Sequence, residues 1–228
     1  ISKQSGPTDL VTQTDQQMQN DLIEKITNRY PEDRIFAEED GLRSPISEGS
    51  VWVIDPIDGT NNFVTQKEDF AVMVAYFEDG IGRFGLIYDV MRDHLFYGGG
   101  EFPVYRNEVE LTPFVDQPLE NFLIASNVGM LEKNDWGMAD LGMDSLGIRV
   151  YGSAGISFSK ILSGGILAYF SYIWPWDYAA AAIMGEQLGY TVLNLNGDKP
   201  NYQSVEPIMM VPKVKLTEIQ TYLKKGRS

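Results

Sequence analysis

The run Trp52-Val53-Ile54-Asp55-Pro56-Ile57-Asp58-Gly59-Thr60 sets two carboxylates three residues apart at the end of an apolar stretch, then a glycine and a hydroxyl. Val51 to Ile54 read as a buried strand, so Asp55 emerges at its carboxyl end, where Pro56 removes a ladder donor and turns the chain. Asp58 then returns beside Asp55. Two hard carboxylates with a free backbone carbonyl between them, at Ile57, suit a small oxygen-seeking cation such as Mg²⁺. Gly59 admits close approach of the backbone to a ligand, Thr60 is placed to cap a following helix, and amides at such a helix start attract phosphate. Asp, Pro and Gly are also the ordinary turn formers, so the motif taken alone reads first as a tight turn. A calcium loop is excluded, because counting from Asp55 puts Gln66 where the bidentate Glu must stand.

The elements that must position these groups are legible from periodicity. Thr14 through Arg29 carry Met18, Leu22, Ile23 and Ile26 on one helical face, with Asp15 in the first turn and Pro31 beyond the end. Arg34 to Ala37 read as a short strand, after which Glu38-Glu39-Asp40-Gly41 leave the sheet and a polar loop runs to Gly49. Phe70 to Glu78 and Ile81 to Asp89 are β-rich and joined by Asp79-Gly80, a strong hairpin signal; His94 to Tyr97 extend that sheet. From Phe122 onward the pattern alternates: strands at Phe122 to Ala125, Gly147 to Tyr151, Ile166 to Tyr172, Thr191 to Leu195 and Pro207 to Val211. Helices are expected over Leu131 to Gly142, from Gly152-Ser153-Ala154-Gly155 to Leu162, and from Trp174-Pro175-Trp176-Asp177 to near Gly189, with Asp177 as N-cap.

Composition narrows the class. A chain of 228 residues that is 43% hydrophobic can bury a large core, in one domain or two modest ones. Without cysteine there is no disulfide framework, thiolate metal site or cysteine nucleophile. His94, the single histidine, stands in no motif and reads as structural or surface. A net charge of −14 argues against a nucleic-acid polymer or an anionic membrane as partner. Lys213, Lys215, Lys224, Lys225 and Arg227 read as a solvated C-terminal helix. No signal peptide opens the chain and no apolar run approaches ~20 residues, so a cytoplasmic address is the expectation. The opening at Ile1-Ser2-Lys3 suggests a missing upstream segment.

Several motifs in order carry a resemblance: Gly6-Pro7-Thr8-Asp9-Leu10-Val11-Thr12 with Thr14-Asp15, then Ala37-Glu38-Glu39, Asp55 to Thr60, Gly152-Ser153-Ala154 and Trp176-Asp177. Together they resemble the inositol monophosphatase family of Mg²⁺-dependent, lithium-sensitive phosphomonoesterases, over nearly the whole length. The resemblance implies an α/β layered sandwich of the sugar-phosphatase type. An N-terminal half, 1–122, would carry most metal ligands, and a C-terminal half, 123–228, would supply Asp177 and the substrate wall. It further implies that Glu38, Asp55 and the Ile57 carbonyl hold one Mg²⁺; that Asp55, Asp58 and Asp177 hold a second; and that Glu38 with waters holds a weaker third. Glu38 and Thr60, the latter oriented by Asp15, would position and deprotonate the attacking water. The amides of Gly59 and Thr60 would receive phosphate oxygens, with Asn61, Gly152, Ser153, Ala154 and Asp177 near the substrate alcohol, and Glu39 behind the ligands. A homodimer is implied in the same way.

The default substrate is then inositol 1-phosphate or a related small sugar or polyol phosphate, and the enzymatic alternative is a nucleotide such as NADP or 3'-phosphoadenosine 5'-phosphate. A catalytically silent Mg²⁺- and phosphate-binding regulatory protein is the alternative of another class. The segment Tyr169-Phe170-Ser171-Tyr172-Ile173-Trp174-Pro175 lacks the acid that members of the family often carry there to read inositol hydroxyls, which points to broad specificity. Its aromatic residues offer faces on which a base can stack.

Overall fold

Period-2 alternation and helical periodicity resolve into two sheets with helices against their faces. The structure is a computed structural model that describes residues 13–225, so Gly6 to Thr12 of the opening motif and Arg227 lie outside the described residues. In chain order the main elements begin with α1 (Gln13–Arg29), β1 (Arg34–Ala37), β2 (Ser50–Asp58), α2 (Thr60–Thr65) and β3 (Ala71–Glu78). Next come β4 (Ile81–Asp89), β5 (His94–Gly99), β6 (Phe102–Arg106), β7 (Val109–Glu110), β8 (Leu123–Ser126), α3 (Val128–Glu132) and α4 (Met138–Asp144). The last are β9 (Gly147–Arg149), α5 (Ala154–Leu162), β10 (Ala168–Ile173), α6 (Pro175–Gln187), β11 (Tyr190–Asn194), β12 (Glu206–Pro212) and α7 (Leu216–Lys225).

Strands β1 to β7 form a seven-stranded sheet in sequence order, parallel only at β1 and β2. The Asp79-Gly80 turn holds both residues at positive φ, 48° and 79°, as the hairpin signal requires. A second, five-stranded sheet runs β11-β12-β10-β8-β9, with β8 parallel to both β9 and β10. Helices α5 and α6 lie between the sheets: α6 touches β3, β4 and β5 on one side and β11 on the other, and α5 touches β4 and β10. Helix α1 packs Leu22, Ile23 and Ile26 on Ile35, Ala37 and Ile54, while α4 and α7 share the second core, around Phe170 and Met209. Sheet and helix layers therefore alternate, an α/β architecture as the motifs implied.

Three local readings change. Met18 is exposed, and the fully buried positions of that helix are Asp15 and Gln19, with Leu22, Ile23 and Ile26 partly buried. The helix expected over Leu131 to Gly142 is broken between α3 and α4, because Asn134, Trp136 and Gly137 take positive φ and Asn134 accepts from Ala139 N at 2.8 Å. Lys213 and Lys215 precede α7, and Lys215 is buried between Asp116 and Glu218 at 3.1 and 3.0 Å.

The seat of α6 depends on a missing side chain. A Cβ on Gly85 would lie 2.4 Å from the Ala180 carbonyl oxygen, so only glycine lets the helix rest directly on β4. Gly85→Ala is expected to destabilise the fold by about 1–3 kcal/mol through overpacking, read as a lowered urea midpoint with unchanged slope.

Candidate active site

Side chains on a strand alternate faces, so Asp55 and Asp58, an odd number of residues apart, should point to opposite sides. The chain solves this with a bulge. Asp55 pairs with Met73 and Asp58 with Ala71, and the register shifts between them, so β2 holds one residue more than β3 over this interval. Strand β2 thus continues through Pro56 rather than ending before it, and Pro56 sits where the ladder is interrupted. Both carboxylates now face the layer of α5 and α6.

Asp58 lies against the start of α5. It accepts hydrogen bonds from Ala154 N at 3.1 Å, from Gly155 N at 2.8 Å and from the Ser153 hydroxyl, which also caps the helix by accepting from Ile156 N at 3.1 Å. The helix dipole and its first amides favour negative charge there. Ser153 and Ala154, assigned from the resemblance to the substrate alcohol, thus direct these donors at Asp58. Gly152 is exposed beside Asn62.

Asp177 is the third residue of α6, with Trp174 as N-cap, and its Oδ2 accepts from Trp174 N at 2.7 Å. The expected N-cap position is therefore corrected, and Asp177 reaches back to the helix start. Likewise Gly59, at φ 86°, precedes α2 as its cap and Thr60 is the first helical residue. A Cβ on Gly59 would meet Ser153 Cβ at 2.9 Å. The Thr60 hydroxyl has Asp15 Oδ1 at 3.3 Å and the Ile57 carbonyl at 3.2 Å as acceptors, and Asp15 is buried.

One oxygen each of Asp55, Asp58 and Asp177 falls within 4.8 Å of the others. Glu38 is outside that triad but close enough for its charge to act on Asp55 and Asp177. Its backbone N–H donates to Ile54 O at 3.2 Å, and the next N–H, of buried Glu39, donates to Gln19 Oε1 at 2.9 Å. Exposure grades outward from buried Asp55 and Asp58, through half-buried Glu38, Thr60 and Asp177, to exposed Asn61 and Gly152.

Sequence reasoning missed Gln19, Arg43 and Asn62. Gln19 carried a signal, one helical turn after Asp15. Asn62 is buried and ties α2 to the segment after β9, donating to Asp69 O at 2.9 Å and Tyr151 O at 2.7 Å, whereas neighbouring Asn61 faces solvent. Nothing local marks Arg43, which folds over Trp176.

The donor set fits a hard divalent ion. Asp55 Oδ1 is buried with no hydrogen-bond donor, and no basic side chain among the described residues pairs with Asp55, Asp58 or Asp177. Burial, then the charges of Glu38, Asp58 and Asp177, holds the Asp55 carboxyl well above the ordinary range. Asp177 is likewise raised well above it, by burial and then by Asp58 and Glu38. At Asp58 burial raises the pKa and prevails over the three hydrogen bonds that lower it.

Because these folded pKa values lie above the unfolded ones, the stability they contribute is present below about pH 4 and is lost as pH rises through the raised folded range. Asp55→Asn is therefore expected to stabilise the metal-free protein at pH 7 by about 1–3 kcal/mol, with the gap closing toward pH 4. Thermal unfolding in EDTA across pH, variant against parent, checks both sign and window.

Comparison with known proteins places this geometry. A family model described as the inositol monophosphatase family matches residues 1–226. The inositol-1-monophosphatase of Bacillus subtilis (strain 168) is 37% identical over 204 residues, spanning 87% of this chain and 77% of that protein. The crystal structure of inositol monophosphatase-II from Staphylococcus aureus MSSA476 aligns with a TM-score of 0.89 at 32% identity, covering 96% of this chain and 84% of the other. An IMPase/NADP phosphatase complexed with Mg²⁺ and phosphate aligns with a TM-score of 0.89 at 26% identity, covering 97% and 84%. With the acidic triad, the layered fold and the full-length match in agreement, the chain belongs to the inositol monophosphatase family and is a phosphoric monoester hydrolase.

Proposed function

We propose that this chain hydrolyses inositol 1-phosphate or a related small sugar or polyol phosphate, with Asp55, Asp58, Asp177, Glu38 and the Ile57 carbonyl holding Mg²⁺. The observation that carries this is the triad of buried Asp55 and Asp58 with half-buried Asp177, in which Asp55 Oδ1 has no donor. Two ions and a weaker third are the proposed complement. The cleft is read as lying between the halves 1–122 and 123–228. In support, every strand of the seven-stranded sheet precedes Phe122 and every strand of the other follows it.

Mg²⁺, when bound, supplies Lewis-acid polarisation of the phosphoryl oxygens and lowers the pKa of water. The chain's own groups do the positioning. With its proton directed to Asp15 or Ile57 O, the Thr60 hydroxyl presents a lone pair with which to orient a water. Glu38, half-buried at the mouth, takes the proton as the water oxygen attacks phosphorus. The phosphorus–oxygen bond to the alcohol breaks, the alkoxide takes a proton from a solvent water as Glu38 returns its own proton to solvent, and inorganic phosphate and the free alcohol leave. The N–H groups at the start of α2, at Gly59 and Thr60, are proposed to hold phosphate oxygens, and an intrahelical partner is lacking there.

A nucleotide reading is favoured by a separate observation. Of the four aromatic residues in the substrate wall, Tyr169 and Phe170 are buried in the core, whereas Tyr172 and Trp174 are 45% and 37% exposed. The Trp174 backbone N–H binds Asp177, and its ring stacks on Trp176, the residue before Asp177. A nucleoside 2'- or 3'-phosphate can lay its base there.

Phosphate release with Mg²⁺ over inositol 1-phosphate, small sugar phosphates, NADP and 3'-phosphoadenosine 5'-phosphate decides among these readings, and release from none would leave the regulatory one. kcat/KM values are expected to lie within about two orders of magnitude, since the phosphate and metals are common to all. Thr60→Ala should lower kcat about 10²-fold with Mg²⁺ affinity nearly unchanged; the reverse pattern makes Thr60 structural. Trp174→Ala should cost nucleotides about tenfold in kcat/KM and leave inositol 1-phosphate little changed, and equal losses on both remove the stacking role.

A further inference from the structure

We propose that Arg43 is a positioning residue that latches the turn carrying Glu38 to the segment carrying Asp177, an inference that rests on the phosphatase reading of this site. Its guanidinium carbon lies 4.5 Å from the centre of the Trp176 ring, 5.6 Å from that of Phe36 and 5.8 Å from that of Trp174. Trp174 and Trp176 stack at 4.8 Å and 9°, and Phe36 tilts against Trp176 at 5.6 Å, so the cation completes an aromatic stack. Trp176 is the residue before Asp177.

The same guanidinium grips the turn by its backbone. It donates to the carbonyls of Ala37, of Leu42 at 2.9 Å and of Glu38 at 3.4 Å. Asp40 and Gly41, at φ 59° and 66°, reverse the chain so that Ala37 N donates to Leu42 O at 3.0 Å and Phe36 bridges Arg43. Glu38 is thus held on one side by β2, through Ile54 O, and on the other by Arg43. The following residue, Glu39, is held by Gln19 of α1.

Arginine suits this place and lysine does not, because a planar fork can stack on indole and bond several carbonyls at once. Its charge also counts. Burial lowers the Arg43 pKa, and the opposing pull of Glu38 and Glu39 shows that the cation lies within the field of the acidic turn. Before metal enters, Glu38 is repelled by Asp55 and Asp177, and Arg43 is the side chain that ties its turn to the Trp176 segment against that repulsion. The latch holds Glu38 at the cleft, so that less ordering remains to be done on metal binding.

The test uses the full chain with Arg43→Gln and Arg43→Lys. Mg²⁺ binding is measured by calorimetry, Mg²⁺ activation by phosphate release, and folding by thermal unfolding in EDTA. Arg43→Gln is expected to weaken Mg²⁺ affinity and raise the half-saturating Mg²⁺ about tenfold. kcat at saturating Mg²⁺ should fall by less, and Arg43→Lys should recover only part of the loss. A structural role alone would lower the unfolding temperature and leave Mg²⁺ affinity as it was, and that result overturns the latch. If the parent releases phosphate from no ester yet Arg43→Gln still loses Mg²⁺ affinity, the phosphatase reading fails and the latch stands. An active parent with unaltered Mg²⁺ dependence in both variants sinks the latch and spares the phosphatase.

Discussion

The site depends on one extra residue in β2. Without the bulge between Asp55 and Asp58, strand geometry would send one carboxylate toward α5 and the other toward the opposite face of the sheet. With it, both enter the layer where α5 and α6 begin, and Asp177 arrives from the first turn of α6. The electrostatics of the site follow from that crowding. Three carboxylates with oxygens within 4.8 Å of one another, two of them buried, cannot all remain ionised without a cation.

The protein compensates these charges unequally. Asp58 has the α5 amides and the Ser153 hydroxyl, so its position is fixed by neutral donors whether or not metal is present. Asp177 accepts from the N–H of Trp174 and shares a side-chain hydrogen bond with Asp55, whose Oδ1 has no donor. The best-satisfied carboxylate anchors the arrangement, and the least satisfied has the most to gain from the ion. A buried oxygen without a donor destabilises the empty protein and in return supplies affinity for the metal.

Much of this was legible in the sequence because it lies in short-range chemistry. The Asp79-Gly80 hairpin, the α1 periodicity and the carboxylates of the Asp55 motif depend on neighbours a few residues away. What escaped depends on residues far apart in the chain. The bulge exists only relative to β3, so Pro56 read naturally as a terminator. The bonds from Ser153 and Ala154 to Asp58 join positions nearly a hundred residues apart, which no local pattern marks. Asp177 read as an N-cap because the propensities of Asp at the cap and in the first turn are alike, and only the bond from Trp174 N distinguishes them. The Leu131 to Gly142 helix failed for a local reason, since Asn134 satisfies Ala139 N in place of the helix.

Because the proposed ligands arrive on segments from different layers, core packing sets the distances between their oxygens. Asp177 is carried by a helix whose height above the sheet is fixed at Gly85 by contact with the Ala180 carbonyl. Asp55 and Asp58 are carried by β2 of that sheet, and Glu38 by the turn after β1, its parallel neighbour. Asn62 holds α2 to the Tyr151 segment, and so keeps the Thr60 end of α2 near the α5 entry. A shift of α6 by a fraction of an ångström would move one ligand and not the others. An ion as small as Mg²⁺, which demands near-ideal octahedral geometry, tolerates little of that. Gly85 under α6 and the Asn62 tie to the Tyr151 segment therefore set the geometry of the proposed metal site as much as the carboxylates do.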